Sequence, residues 1–392
     1  MVTSPPDLRA ADATAATAAG AAVPFSDLVA QHRALEEELV AAFRRAVRSA
    51  QFVGGAEVEA FERDFAGYCE APACVGVNSG TDALRFACIA LGVQPGDQII
   101  APSHTFIATS EAITQAGGRV RFVDVDERTM TIDPAAVRAA IGPRTVGIMP
   151  VHLYGQPADM DPLLELARNK GLWVVEDAAQ AHGARYRGRR VGALGRLGCF
   201  SFYPGKNLGS LGEGGAVTGG TGDSGPDLIE TVRRLREHGQ SSKYVHEIEG
   251  YNGRLHAIQA AFLRIKLARL DDWNAGRRRA AAWYAAALHD VPDLVLPEVA
   301  PNTEHVFHLY VVRTPRRDDL RDHLTRERIG VGLHYPRPLH LQQAYATLGY
   351  REGALPVTER AASQCLSLPM FPEMTEAQVA RVADAIKSFY RA

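Results

Sequence analysis

The chain has 392 residues, 46% hydrophobic and 22% charged, with a net charge of -2, an ordinary globular mixture long enough for a large core and a smaller second domain. Lys/Arg and Asp/Glu are interspersed along it, which excludes a basic nucleic-acid footprint and a polybasic membrane patch. The five cysteines (Cys69, Cys74, Cys88, Cys199 and Cys365) form no CxxC pair, so they read as buried or free thiols of a reducing compartment, and no metal-ligand spacing accompanies them.

Residues 1–24 are alanine-rich and broken by charges, without a basic stretch leading into an apolar one. They are expected to be a disordered tail rather than a secretory signal, which points to the cytoplasm. No run approaches the ~20 apolar residues a membrane helix needs. From Phe25 the spacing of Leu28, Leu35, Leu39, Val40, Phe43 and Val47 predicts one helix through Ala50, with Ser26 as its N-cap. A second helix is expected after the Gly54-Gly55 turn, to Tyr68.

Short apolar strands then alternate with helical stretches. The strand candidates are CVGV (Cys74–Val77), QIIAP (Gln98–Pro102), RVRFVDV (Arg119–Val125), TVGIMPVH (Thr145–His152), LWVVEDA (Leu172–Ala178), GCFSFY (Gly198–Tyr203) and GGAVTG (Gly214–Gly219). Helical texts such as TDALRFACIALG and MDPLLELARNKG fill most gaps. This is the pattern of a mostly parallel sheet covered on both faces, an α/β fold. The connection from Tyr203 to Gly214 is too short for a helical crossover; joining antiparallel neighbours and skipping across the sheet both fit it. After a helix over His256–Trp273 the alternation loosens. A strand (Val306–Arg313), a helix (Asp318–Arg328) and a terminal helix (Thr375–Ala392) follow. The predicted organisation is a large domain over 25–270 and a small α+β domain over 271–392.

Ligands of open α/β sheets bind at the carboxyl ends of the strands, and here those ends read VNSGTDAL, APSHTF, VEDAAQAHG and FSFYPGK, with GYNGRL in a later loop. Each has a plain structural reading. Gly80–Thr81 suits an anion at a helix N-terminus or an ordinary capped turn. Asp177 suits a buried acid or a cap, Phe106 a core ring, and Ser201 a hydroxyl bonded to backbone. The lysine in SFYPGKNLGSLGEGG, Lys206, is not that of a phosphate-cradling GxxxxGK[ST] loop, because Asn207 follows it. No GxGxxG fingerprint supports a dinucleotide. One assignment uses all the pieces. Pyridoxal phosphate needs a lysine for its Schiff base, an acid at its ring nitrogen, a phosphate cup and a stacking face. Lys206, Asp177, Gly80–Thr81 with Ser201, and Phe106 supply them.

These segments, with PSHTFIATSEAI, FVDVDERTMTIDP, PVHLYGQPADMD, HYPRPLHLQ and LSLPMFPEMT in order, resemble the DegT/DnrJ/StrS family of nucleotide-sugar aminotransferases from Phe25 to the C-terminus. The resemblance implies the PLP-dependent transferase type I fold of aspartate aminotransferase. It implies that Lys206 bonds the cofactor and moves the proton, that Asp177 pairs with the ring nitrogen, and that Gln180 bonds the phenolic oxygen. Phe106 would stack on the ring, and Gly80, Thr81 and Ser201 would hold the phosphate. Asn252 would reach the phosphate of the neighbouring subunit, making the active unit a homodimer. The implied reaction runs in two halves through pyridoxamine phosphate, from L-glutamate to a keto-sugar on a nucleoside diphosphate. The run PGKNLGSLGEGGA looks more like enzymes that make 3-amino sugars than 4-amino sugars. His334 and Tyr335 fit either a place near the sugar or a buried structural pair. A 4-amino sugar or cyclitol aminotransferase of the family and a non-catalytic cofactor-binding regulator are the alternatives; neither nucleic acid nor a membrane is an expected partner.

Overall fold

The computed structural model describes residues 22–220 and 225–391. Each of the strand candidates of the first half enters one seven-stranded sheet. They are β1 (Cys74–Val77), β2 (Gln98–Pro102), β3 (Arg119–Val123), β4 (Thr145–Ile148), β5 (Trp173–Asp177), β6 (Leu197–Ser201) and β7 (Gly215–Gly219), in spatial order β1-β7-β6-β5-β4-β2-β3. From β6 to β3 all neighbours are parallel. β7 runs antiparallel to both β1 and β6. The short link after β6 therefore turns straight back, as a connection without a crossover helix must between adjacent strands.

The strands are apolar throughout because both faces are covered. Successive side chains alternate between the faces. Ile100, Ile148, Val174 and Phe200 pack on one side with Phe61, Phe65 and Leu163. Ile99, Val175 and Val217 pack on the other with Leu84, Phe86 and Val232. The covering helices are α3 (Ala56–Tyr68), α4 (Gly80–Ala90), α5 (Ala108–Gln115), α6 (Pro134–Ala140), α7 (Met160–Lys170), α8 (Gly225–Arg236) and α9 (Ala257–Leu267).

Two N-terminal helices stand where one was expected: α1 (Leu28–Arg33) and α2 (Glu36–Ser49). Asp27, not Ser26, caps α1; its carboxylate accepts from the Ala30 N–H at 2.9 Å. The chain restarts at Leu35 because Glu36, Glu37 and Glu38 form an acidic first turn suited to a helix N-terminus. Leu35 and Leu39 are buried against Ala261 and Phe262 of α9, whereas Val40, Phe43 and Val47 of the predicted apolar stripe are 40%, 50% and 53% exposed. The helix expected over His256–Trp273 likewise divides, into α9 and α10 (Leu270–Leu288).

α10 starts in the large core at Leu270 and ends in the small one at Leu288. There it meets the antiparallel pair β8 (Tyr310–Arg313) and β9 (Cys365–Leu368) together with α11 (Arg317–Arg326) and, beyond α12 (Pro356–Gln364), the terminal α13 (Glu376–Arg391). β8 is shorter than the predicted strand because Val306 bonds the Gly155 carbonyl of the large domain instead of a ladder partner. Residues 1–21 of the expected tail lie outside the described residues. Val23 is buried and bonds Arg328 and Gly330 through its backbone.

Candidate active site

A cavity of 820 Å³ opens at the carboxyl ends of the sheet strands, lined by Gly80, Thr81, Phe106, Asp177, Gln180, Ser201, Lys206, His334 and Tyr335 among others. The fold thus gathers residues spread over more than 250 positions. Its first corner is built by the start of α4. Ser79 caps that helix, accepting from the Asp82 N–H at 3.1 Å, while the first N–H groups of the turn have no intrahelical acceptor. Gly80 lies flat against Ser201: a Cβ on Gly80 would sit 2.5 Å from the Ser201 Cβ and 3.0 Å from its Cα. Glycine here is a matter of close approach, and the resulting corner joins N–H donors to a serine hydroxyl.

Asp177 ends β5, is 4% exposed, and accepts from the Thr109 hydroxyl at 2.7 Å and the Ala179 N–H at 3.2 Å. Burial raises its pKa, and those two hydrogen bonds together with the charge of Lys206 pull it back down. Lys206 is displaced in the complementary sense. Burial lowers its pKa to about 8, and the charge of Asp177 pulls it back up. A lysine and a carboxylate that burial shifts in opposite senses, each partly restored by the other's charge, are the kind of pair found at chemical sites.

The loop carrying Lys206 is held from below. Asn207 donates to the Asn274 side chain at 2.9 Å and to the Val306 carbonyl at 3.0 Å, and its oxygen pairs with the His308 ring at 3.1 Å. The Ser210 hydroxyl donates to the Phe202 carbonyl at 2.8 Å. Lys266, buried in α9, donates to the Gly209 carbonyl at 2.6 Å. A side chain on Gly209 would collide with the Pro204 carbonyl. Gly209 keeps this turn thin.

Gln180 is tied at both ends: its oxygen accepts from the Tyr154 N–H at 2.7 Å, and its amide donates to the Tyr335 hydroxyl at 3.0 Å. Phe106 is 53% exposed on the cavity rim, its ring 5.8 Å from that of Tyr335. His334 pairs with the Ser367 hydroxyl at 2.8 Å, and burial plus the charge of Lys206 bring it down to about 4, so it is neutral. His334 and Tyr335 are thus both packed and at the cavity wall.

Asn252 stands apart. It is exposed, accepts from Arg254 at 2.6 Å and does not line this cavity. Sequence reasoning missed Phe25 in the cavity wall and, outside its lining, Tyr154 and Thr109. Phe25 lines the cavity and stacks on His334 at 5.7 Å. Tyr154 bonds both His104 and the His334 carbonyl; its positive φ of 60° is rare for a bulky residue and leaves no trace in a pattern of apolar positions. Thr109 was legible only as part of PSHTFIATSEAI.

The corner at Gly80 and Ser201 fits a phosphate, the rim at Phe106 a planar ring, and the Lys206–Asp177 pair the two ends of a pyridine aldehyde. On an α/β sheet of this order, that fit defines a pyridoxal-phosphate-dependent enzyme of the type I fold. More narrowly, the chain belongs to the DegT/DnrJ/EryC1/StrS aminotransferase family, which matches residues 33–387. It is 51% identical over 94% of its length, and 96% of the relative's, to the dTDP-3-amino-3,4,6-trideoxy-alpha-D-glucose transaminase of Streptomyces venezuelae. It is 48% identical over 93% of its length, and 99% of the relative's, to the erythromycin biosynthesis sensory transduction protein EryC1 of Saccharopolyspora erythraea. Among solved structures it superposes on S. venezuelae DesV in complex with a ketimine intermediate, with a TM-score of 0.92, 50% identity, and coverage of 95% of this chain and 99% of that one.

Proposed function

We propose that this aminotransferase moves the amino group of L-glutamate to a dTDP-linked 3-keto-6-deoxyhexose, giving a 3-amino sugar for antibiotic-type deoxyamino-sugar biosynthesis in the cytoplasm. The observation that carries the reading is the Lys206–Asp177 pair in a cavity large enough for a cofactor and a sugar. The choice of carbon rests on PGKNLGSLGEGGA and on the S. venezuelae relative, named for a 3-amino product. The name of the S. erythraea relative favours a regulator. Regulation by binding alone needs no lysine poised near neutrality opposite a buried acid, so catalysis is the better reading.

When bound, pyridoxal phosphate supplies the electron sink that lets the substrate's α-carbon lose a proton. The Gly80–Thr81 amides and Ser201 would hold its phosphate, Phe106 would face its ring, Asp177 its nitrogen and Gln180 its phenolic oxygen. Lys206 does the proton work: with its pKa near 8, Nζ is neutral often enough at physiological pH to accept a proton and acidic enough to return it. The tethers from Asn207 and Gly209 fix the backbone from which Nζ swings.

The active unit in this reading is a homodimer. Its support is the exposed apolar stripe of Val40, Phe43 and Val47, together with an Asn252 that does not line its own protomer's cavity. One experiment addresses lysine and dimer together. Lys206→Ala and Asn252→Ala proteins are each assayed with glutamate and a panel of dTDP- and UDP-linked 3- and 4-keto sugars, then mixed under exchange conditions. Each variant alone should be impaired, Lys206→Ala without turnover. Mixing should restore activity, because one hybrid site combines an intact lysine with an intact asparagine from the other protomer. Full turnover by Lys206→Ala would overturn the chemistry; absence of complementation would overturn the contact in trans.

A further inference from the structure

Asp177 has a hydrogen-bond partner that the reaction scheme leaves unused. A carboxylate can only accept, so the 2.7 Å contact uses the single hydroxyl proton of Thr109. The Thr109 oxygen also lies 3.1 Å from the Thr105 hydroxyl, and all three side chains are buried. With the Thr109 proton committed to Asp177, the direction of that second bond is settled: Thr105 donates to Thr109. The chain of protons therefore runs one way, from Thr105 to Thr109 to Asp177. Thr105 directly precedes Phe106 at the cavity rim, and Thr109 sits in the first turn of α5. One short segment thus carries both the ring's platform and the donor that orients the acid.

We propose that Thr109, backed by Thr105, is a positioning residue that holds Asp177 ionised and aimed for its partner on the cofactor ring. The physical need is plain. A carboxylate this deeply buried is driven toward its neutral form, which could not pair with a protonated ring nitrogen. The other influences on it are few: the Ala179 N–H at its own strand end, Lys206 from the loop after β6, and His152 from the segment after β4, all favouring the charged form. Tyr335 and the Cys199 thiol of β6 also lie near it, and the negative charge of Asp177 helps hold both protonated. The Thr109 hydrogen bond is the largest of the influences that offset burial. The two hydroxyls work in series, since a charge-assisted hydrogen bond strengthens when its donor is itself polarised by accepting one.

This inference rests on the assignment of Asp177 to the ring nitrogen, but its test is made without cofactor and so can fail independently. Asp177 is followed by carboxyl carbon-13 NMR in the cofactor-free protein, its signal identified by loss in Asp177→Asn. Thr109→Val keeps the shape and removes the hydroxyl; the Asp177 midpoint is expected to rise by ~1–2 pH units, the worth of one hydrogen bond to a charged group. Thr109→Ser should restore the wild-type midpoint. Thr105→Val, which leaves Thr109 in place, should raise it by a smaller step. In the reconstituted proteins the pH below which pyridoxal phosphate is released should move upward in the same order. An unchanged Asp177 midpoint in folded Thr109→Val overturns the proposal. Should that variant not fold, an unchanged midpoint in Thr105→Val, or failure of Thr109→Ser to match wild type, does the same.

Discussion

Gly80→Ala adds one methyl at the corner assigned to the cofactor phosphate, and its cost can be worked from the backbone. The new Cβ would stand 2.5 Å from the Ser201 Cβ and 3.0 Å from the Ser201 Cα. Carbon atoms rest at about 3.5–4.0 Å, so α4 and the end of β6 must separate by on the order of 1 Å. Neither can do so freely. Ser201 is paired across β7 with Gly215, and a side chain on Gly215 would itself strike the Ser79 carbonyl at the foot of α4. Such overpacking costs about 1–3 kcal/mol. Because the separation widens the very corner that receives the phosphate, most of it is expected in cofactor affinity, a loss of roughly 5- to 150-fold. The assay is equilibrium binding of pyridoxal phosphate to dialysed protein, read by its absorbance, beside a thermal melt of the cofactor-free form. An affinity equal to wild type in a protein of equal stability would refute the close-approach reasoning.

The ionisation of Lys206 and the buried contacts behind the site make further expectations measurable. Because burial brings Lys206 to about 8, the neutral amine fraction near pH 7 should exceed that of an ordinary lysine by roughly two orders of magnitude. The rate at which cofactor-free protein captures pyridoxal phosphate should rise with pH and level off above 8. Asp177→Asn removes the charge that raises Lys206, so it should move this midpoint down; a wild-type midpoint near 10 would contradict the burial argument. Glu176, fully buried, accepts from the amides of Gly192, Leu194 and Gly195 at 2.8 Å each and from His152 at 3.0 Å. Glu176→Gln turns one acceptor into a donor facing donors, and should cost about 3–5 kcal/mol in denaturant unfolding; a loss under ~1 kcal/mol would show that the loop over 192–195 is held by other contacts.

What the sequence revealed and what it withheld divide along physical lines. β1 and β2 match their predicted bounds residue for residue, because a doubly covered strand writes its burial into an unbroken apolar run. Lys206, Asp177, Gly80 and Ser201 were legible because they stand at strand ends with unusual neighbours. The break between α1 and α2 was hidden by apolar spacing that continues across it, although three successive glutamates marked the restart. The α2 stripe misled for a different reason: Val40, Phe43 and Val47 follow helical spacing yet face away from their own chain. The order of β6 and β7 required the sheet itself. Thr109, Tyr154 and Phe25 act on residues 68, 180 and 309 positions away, and no local pattern carries such distances.

The segment from Val23 to α2 has a bearing on how the molecule works. It bonds the small domain through Val23 and through Phe25, whose carbonyl accepts from Met370 at 3.1 Å, and a few residues later it packs on α9 of the large domain. Together with α10, and with the stretch between β8 and β9 whose Leu339, Tyr345 and Leu355 pack on the large sheet before β9 returns to the small core, the polypeptide passes between the two cores more than twice. A body hinged along one line can swing, but one secured by several straps is expected to resist opening and closing. The rings at the cavity rim, Phe106 and Tyr203, are both more than half exposed, so they are what an entering substrate is expected to meet first.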